Sequence, residues 1–149
     1  MLFVVVMKSE LIAPCGINCT TCVAYFGYTM SGAKRKHSCP GCRSGKQEGG
    51  AQRLQRKSCA FLKKHCAHLA NDNIRFCFEC TDYPCIHLRK LDDRYRKNYK
   101  MSLIENLNFI RDNGMEKFLN NQKERYRCPS CGATICIHTN MCYCCSPPE

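Results

Sequence analysis

The chain has 149 residues, of which 44% are apolar by a count that includes 16 cysteines, and its 23 Lys and Arg against 12 Asp and Glu give a formal net charge of +11. So much cysteine belongs to a cross-linked or metal-bound scaffold, and with those residues set aside and no Trp present the core is thin. The sequence has no apolar run of about 20 residues, which excludes a transmembrane helix, and it lacks a Gly-rich phosphate loop, a Ser-nucleophile elbow and an HExxH helix.

The chain opens with Met1-Leu2-Phe3-Val4-Val5-Val6, which is ended by Lys8 and Glu10 and lacks the charged leader and the length of a signal peptide. Met7 begins a more ordinary start, so it is the expected first residue; an edge strand over 1–6 is the alternative. The front is then broken by turn signals at Pro14, Gly16, Gly27, Gly32, Pro40-Gly41, Gly45 and Gly49-Gly50. Two helices are expected there. One follows the N-cap Asn18 to about Thr29. The other spans 51–69, with Leu54, Phe61, Leu62, His65 and Leu69 on one face.

The cysteine-free stretch 86–127 reads as helical. Pro84 suits the first turn of a helix carrying Ile86, Leu88, Leu91 and Tyr95. Ser102-Leu103-Ile104-Glu105 is a capping box, followed by Leu107 and Ile110 on the face of Leu103 and by the C-cap Gly114. A third helix is expected over 115–124, with Met115, Phe118 and Leu119. The tail reads as short strands at 125–128, 133–137 and 141–143. The expected fold is α+β, small and metal-stabilised: a Cys-rich domain with short helices over 1–98, a helical connector over 99–125 and a zinc-ribbon-like β tail over 126–149.

Five C-x2-C pairs occur: Cys19/Cys22, Cys39/Cys42, Cys77/Cys80, Cys128/Cys131 and Cys142/Cys145. Metal knuckles repeat this spacing by construction and disulfide frameworks rarely do, which points to metal ligation in a reducing cytoplasm. Cys128, Cys131, Cys142 and Cys145 form C-x2-C-x10-C-x2-C, the pattern of an all-sulfur zinc ribbon. Pro129 fixes φ in the first knuckle and Gly132 lets the chain turn away. Cys136, His138 and Cys144 are spare, and Cys144 can replace Cys145 only by shortening the knuckle.

Ten more cysteines lie in front: Cys15, Cys19, Cys22, Cys39, Cys42, Cys59, Cys66, Cys77, Cys80 and Cys85. Either Cys39/Cys42 joins Cys77/Cys80, or it joins Cys59 and Cys66, which leaves Cys15, Cys19 and Cys22 to pair among Cys77, Cys80 and Cys85. Sequence alone does not choose. Cys15, Cys19 and Cys22 have the C-x3-C-x2-C spacing of radical SAM enzymes, but the chain is too short for their βα barrel; a plain [4Fe–4S] cluster is the alternative cofactor there. His37, His65, His68, His87 and His138 are scattered, and each reads as a fourth ligand or as a solvent-facing residue.

Residues 34–64 hold ten Lys and Arg against the single acid Glu48, which suits phosphate contacts. The opposing reading is that these charges balance thiolates: each four-cysteine zinc site carries −2, so three would lower +11 to +5. Tyr25, Phe26, Tyr28, Tyr95 and Tyr99 suit base stacking or core packing.

The runs Leu11-Ile12-Ala13-Pro14-Cys15-Gly16-Ile17-Asn18-Cys19-Thr20-Thr21-Cys22, Cys39-Pro40-Gly41-Cys42-Arg43, Phe76-Cys77-Phe78-Glu79-Cys80 and Tyr83-Pro84-Cys85 resemble the family called domain of unknown function 3795, over roughly residues 8–91. Tyr126-Arg127-Cys128-Pro129-Ser130-Cys131-Gly132 resembles the entry of the zinc ribbon that often follows that domain. The resemblance implies a small cytoplasmic metal protein with no assigned reaction. The expectation is a binding module with two to three zinc ions, no catalytic residue, and nucleic acid or another protein rather than a membrane as partner. An iron–sulfur or reactive-thiol protein using Cys15, Cys19 and Cys22 is the alternative.

Overall fold

The computed structural model describes residues 7–39, 45–46, 52–53 and 74–145. Its frame is three α-helices in the segment without cysteines: α1 (Ile86–Tyr99), α2 (Leu103–Asn113) and α3 (Met115–Arg125). In α1, Leu88, Leu91, Asp92 and Tyr95 are buried at helical spacing, and the left-handed Lys100 ends the helix. The N-cap is Cys85, so Pro84 stands just outside the helix rather than in its first turn.

The capping box at Ser102 is half realised. Ser102 Oγ accepts the N–H of Glu105 at 3.0 Å, as expected. A further acceptor comes from another helix: the buried Asp92 carboxylate of α1 takes the Ser102 hydroxyl at 2.8 Å and the Ile104 N–H at 3.0 Å. One carboxylate thereby satisfies the start of α2 and fixes the α1–α2 corner. Gly114, at φ 92°, separates α2 from α3, and α3 buries Phe118 and Gln122.

The front folds against this frame as turns. Ile12 and Asn18 form an isolated bridge around a tight loop in which Gly16 N–H meets Ala13 O at 3.0 Å. Gly16 sits at φ +94°, and a Cβ there would lie 2.7 Å from Leu103 O. Asn106 of α2 donates to Gly16 O at 3.0 Å, and Asn18 donates to Gln122 Oε1 of α3 at 3.1 Å. The main core joins Leu11, Ile12 and Ile17 of the front to Leu88, Leu103, Leu107 and Phe118 of the helices, and reaches Ile137 of the tail.

The structure corrects the α+β expectation to a helical one. Among the described residues the only sheet is an antiparallel pairing of β1 (Gly45–Lys46) with β2 (Gln52–Arg53). The tail has no strand there: Arg125 is the last residue of α3, and a single bridge, Arg127 to Thr134, stands where the ribbon was expected. The reason is hydrogen-bond supply. Cys128 N–H meets Ala133 O, Ile135 N–H meets Tyr126 O and Cys136 N–H meets Met141 O, but Ile137 N–H goes to Thr21 O in the front at 2.9 Å.

That bond also bears on the expected helix from Asn18 to Thr29, which shortens to a 3₁₀ turn over Cys19–Thr21. Asn18 does cap it, accepting from Thr20 N–H. The Thr21 hydroxyl then bonds Asn18 O, and the Thr21 carbonyl that would continue a helix is taken by Ile137. The expected helix over 51–69 lies outside the described residues except for 52–53, which are extended. The expected edge strand over 1–6 also lies outside them.

Gly16→Ala is expected to destabilise the protein by at least about 2 kcal/mol, combining the left-handed backbone cost with overpacking against α2. Denaturant unfolding measures this, and an unchanged midpoint would contradict the packing of this turn on Leu103.

Candidate metal centre

The tail is built from turns that aim sulfur inward. After α3, Cys128-Pro129-Ser130-Cys131 closes with Gly132 N–H on Cys128 O at 2.9 Å, and Gly132 takes φ 78° to leave the turn. A second turn, in which Asn140 N–H meets Cys136 O, carries the chain back to Cys142. The Sγ atoms of Cys128, Cys131, Cys142 and Cys145 then all lie within 4.8 Å of one another. Cys128 and Cys145 are 3.8 Å apart and Cys131 and Cys142 3.5 Å. Disulfide sulfurs sit at about 2.05 Å, so these are thiols. A tetrahedron with metal–sulfur bonds of about 2.3 Å has edges of about 3.8 Å, so the quartet has the size of a four-sulfur metal site.

Local dipoles prepare the thiols for a cation. The backbone N–H groups of Cys131 and Ser130 point at the Cys128 sulfur and, with hydrogen bonds from the Cys142 and Cys145 thiols, bring its pKa down to about 6. Cys145 is pushed up, first by its hydrogen bond with Cys131, then by desolvation and by Cys128. The quartet therefore offers one thiolate readily, and an ion that binds would displace the remaining protons to solvent. Around a bound ion, four sulfurs would complete a tetrahedral shell and leave no open position for substrate.

The spare residues are also placed. Cys144 is exposed and outside the quartet, which Cys145 completes. Cys136 is fully buried, and its N–H bonds Met141 O. His138 has both ring nitrogens engaged. Nδ1 accepts the N–H of Val23 at 3.1 Å, which leaves the proton on Nε2, 3.1 Å from the Tyr95 hydroxyl. Its role, fastening the tail to the front and to α1, had no signal in the sequence beyond the proximity of Ile137.

Among the described residues the tail quartet is the one group of three or more His, Cys, Asp or Glu whose ligand atoms lie that close together. Cys15, Cys19 and Cys77 are buried in the main core, whereas Cys22 and Cys39 pack with Ala24 in a second, smaller cluster. The C-x3-C-x2-C run is thus divided between two packing environments. Cys80 and Cys85 are half-buried. Cys77 N–H meets Pro14 O at 2.9 Å, which brings the Cys77–Cys80 knuckle beside Cys15. That knuckle repeats the 3₁₀ turn of Cys19–Cys22, with Glu79 accepting from the N–H groups of Arg75 and Phe76. Cys42, Cys59, Cys66, His65 and His68 lie outside the described residues. His37 is exposed and His87 half-buried.

The model of a family described as a protein of unknown function (DUF3795) matches residues 11–90, more than half of the chain, and the protein belongs to that family. No curated protein and no solved structure matches it.

Cys128→Ser is expected to remove one metal ion per chain, read by elemental analysis, while Cys144→Ser leaves the metal content unchanged. Loading at fixed free metal should rise with pH, because protons compete for the sulfurs. The loss should steepen as the pH falls through about 6, where Cys128 regains its proton. Equal metal content in both variants would exclude the quartet as the site.

Proposed function

We propose that this member of the DUF3795 family is a cytoplasmic zinc protein in which Cys128, Cys131, Cys142 and Cys145 hold one structural ion, and that it serves as a binding module rather than an enzyme. The observation that carries the reading is the quartet: four thiols at the spacing of a tetrahedral site, with backbone N–H groups aimed at Cys128. Zinc suits it because the ion has no redox chemistry and accepts the geometry the turns impose. Thiol ligands require a reducing compartment, which favours the cytoplasm.

The reading extends to the front. Cys15, Cys19, Cys22, Cys39, Cys77, Cys80 and Cys85, with Cys42, Cys59 and Cys66, provide ligands for further ions and a total of two to three. Two C-x2-C segments folded as matching 3₁₀ turns support this, as does the hydrogen bond that brings one of them beside Cys15.

Elemental analysis and a visible spectrum of anaerobically purified protein test the reading. The expected result is colourless protein with two to three zinc ions that loses fold when a chelator removes them. One zinc in total would confine the proposal to the tail. Brown protein with stoichiometric iron and broad absorption near about 400 nm would overturn it in favour of a cluster.

A further inference from the structure

We propose that the hairpin over residues 27–36, together with Tyr143 from the second cysteine turn of the tail, forms a binding surface for single-stranded nucleic acid. The hairpin is closed by Thr29 N–H on Ala33 O at 2.8 Å and Arg35 N–H on Gly27 O at 2.7 Å, with Tyr28 paired opposite Lys34. Lys34, Lys36 and His37 are exposed and Arg35 is half-buried. Residues 27–39 contain no acid, and no ion pair among the described residues engages these cations.

The aromatic part of the surface comes from two regions far apart in sequence. Tyr28 stacks on Tyr143 with ring centroids 4.6 Å apart and planes within 6°. Phe26 leans on the same ring at 5.0 Å. Tyr28 and Tyr143 are only half-buried, and Met30 at the hairpin tip is 55% exposed. A partly open aromatic stack beside a row of cations is the arrangement that takes unpaired bases on rings and phosphates on Lys and Arg. A duplex hides its base faces and gives the stack nothing to hold. An acidic protein would use the cations and leave the rings idle.

Tyr143 stands between two residues of the quartet, Cys142 and Cys145, so the turn that grips the metal also sets its ring. That part of the inference rests on the metal reading; the cationic hairpin does not.

The test uses full-length, metal-loaded protein and a fluorescent homopyrimidine strand of about 12 nucleotides, by anisotropy, at about 50 mM and about 200 mM salt. Wild type should bind the strand more tightly than the matching duplex and weaken steeply with salt. Lys34→Glu with Lys36→Glu should weaken binding at least about tenfold, because two phosphate contacts become repulsive. Tyr28→Ala should cost about five- to hundredfold, the range of one stacked base, and Tyr143→Phe should keep wild-type affinity. Zinc content and circular dichroism of each variant separate a lost contact from a lost fold.

No binding by metal-loaded wild type at the lower salt overturns the proposal. So does equal binding of duplex, equal competition by polyglutamate, or full affinity in both the charge-reversed and Tyr28→Ala proteins. Protein that takes up no zinc when it is supplied and still binds the strand with the same Tyr28 dependence would overturn the zinc reading and leave the surface standing.

Discussion

The tail is held by what the front gives up. Thr21 leaves its carbonyl to Ile137 N–H, and Val23 places its N–H on His138 Nδ1. The same imidazole reaches the Tyr95 hydroxyl of α1, and Tyr99 meets it edge-on. One histidine therefore joins three parts of the chain, and the two peptide groups it and Ile137 engage are the ones a longer helix after Asn18 would have consumed. Among the described residues, the lack of tail strands and the shortness of the front helix share a cause: these backbone groups are committed across the interface.

Around this junction, polar side chains do work that a richer core would do with apolar area. Asp92 caps α2 from α1, Asn106 holds the Gly16 carbonyl, and Asn18 meets Gln122 across the buried face of α3. Each is buried and satisfied, so each specifies position as well as stability. Removing one partner would strand the other in a low-dielectric interior, at about 1–3 kcal/mol per group. The sulfur quartet belongs to the same economy. Its turns carry few backbone bonds of their own, and a bound ion would cross-link them where apolar burial is scarce.

Much of this was legible in the residues. The helices over 86–125 followed from apolar spacing and from Ser102, because periodicity and caps are local properties. The quartet followed from C-x2-C-x10-C-x2-C, because a tetrahedral site is built from short turns whose spacing is written in the chain. The family followed from the order of the cysteine runs. The tail strands failed because alternation at Ile135 and Ile137 reports which face is buried, and says nothing about whether Ile137 N–H pairs within the tail or with Thr21.

By itself, the sequence determined the three-helix middle and the grouping of the four tail sulfurs, each of which depends on neighbours a few residues away. Tertiary structure decided the rest. It brought Asp92 to the start of α2, divided Cys19 from Cys22 between two packing clusters, and placed Tyr143 on Tyr28. Those outcomes depend on which buried donor finds which acceptor after the chain has closed on itself. A pattern of residue types does not encode that choice, because a peptide N–H is chemically the same at every position and only its surroundings select its partner.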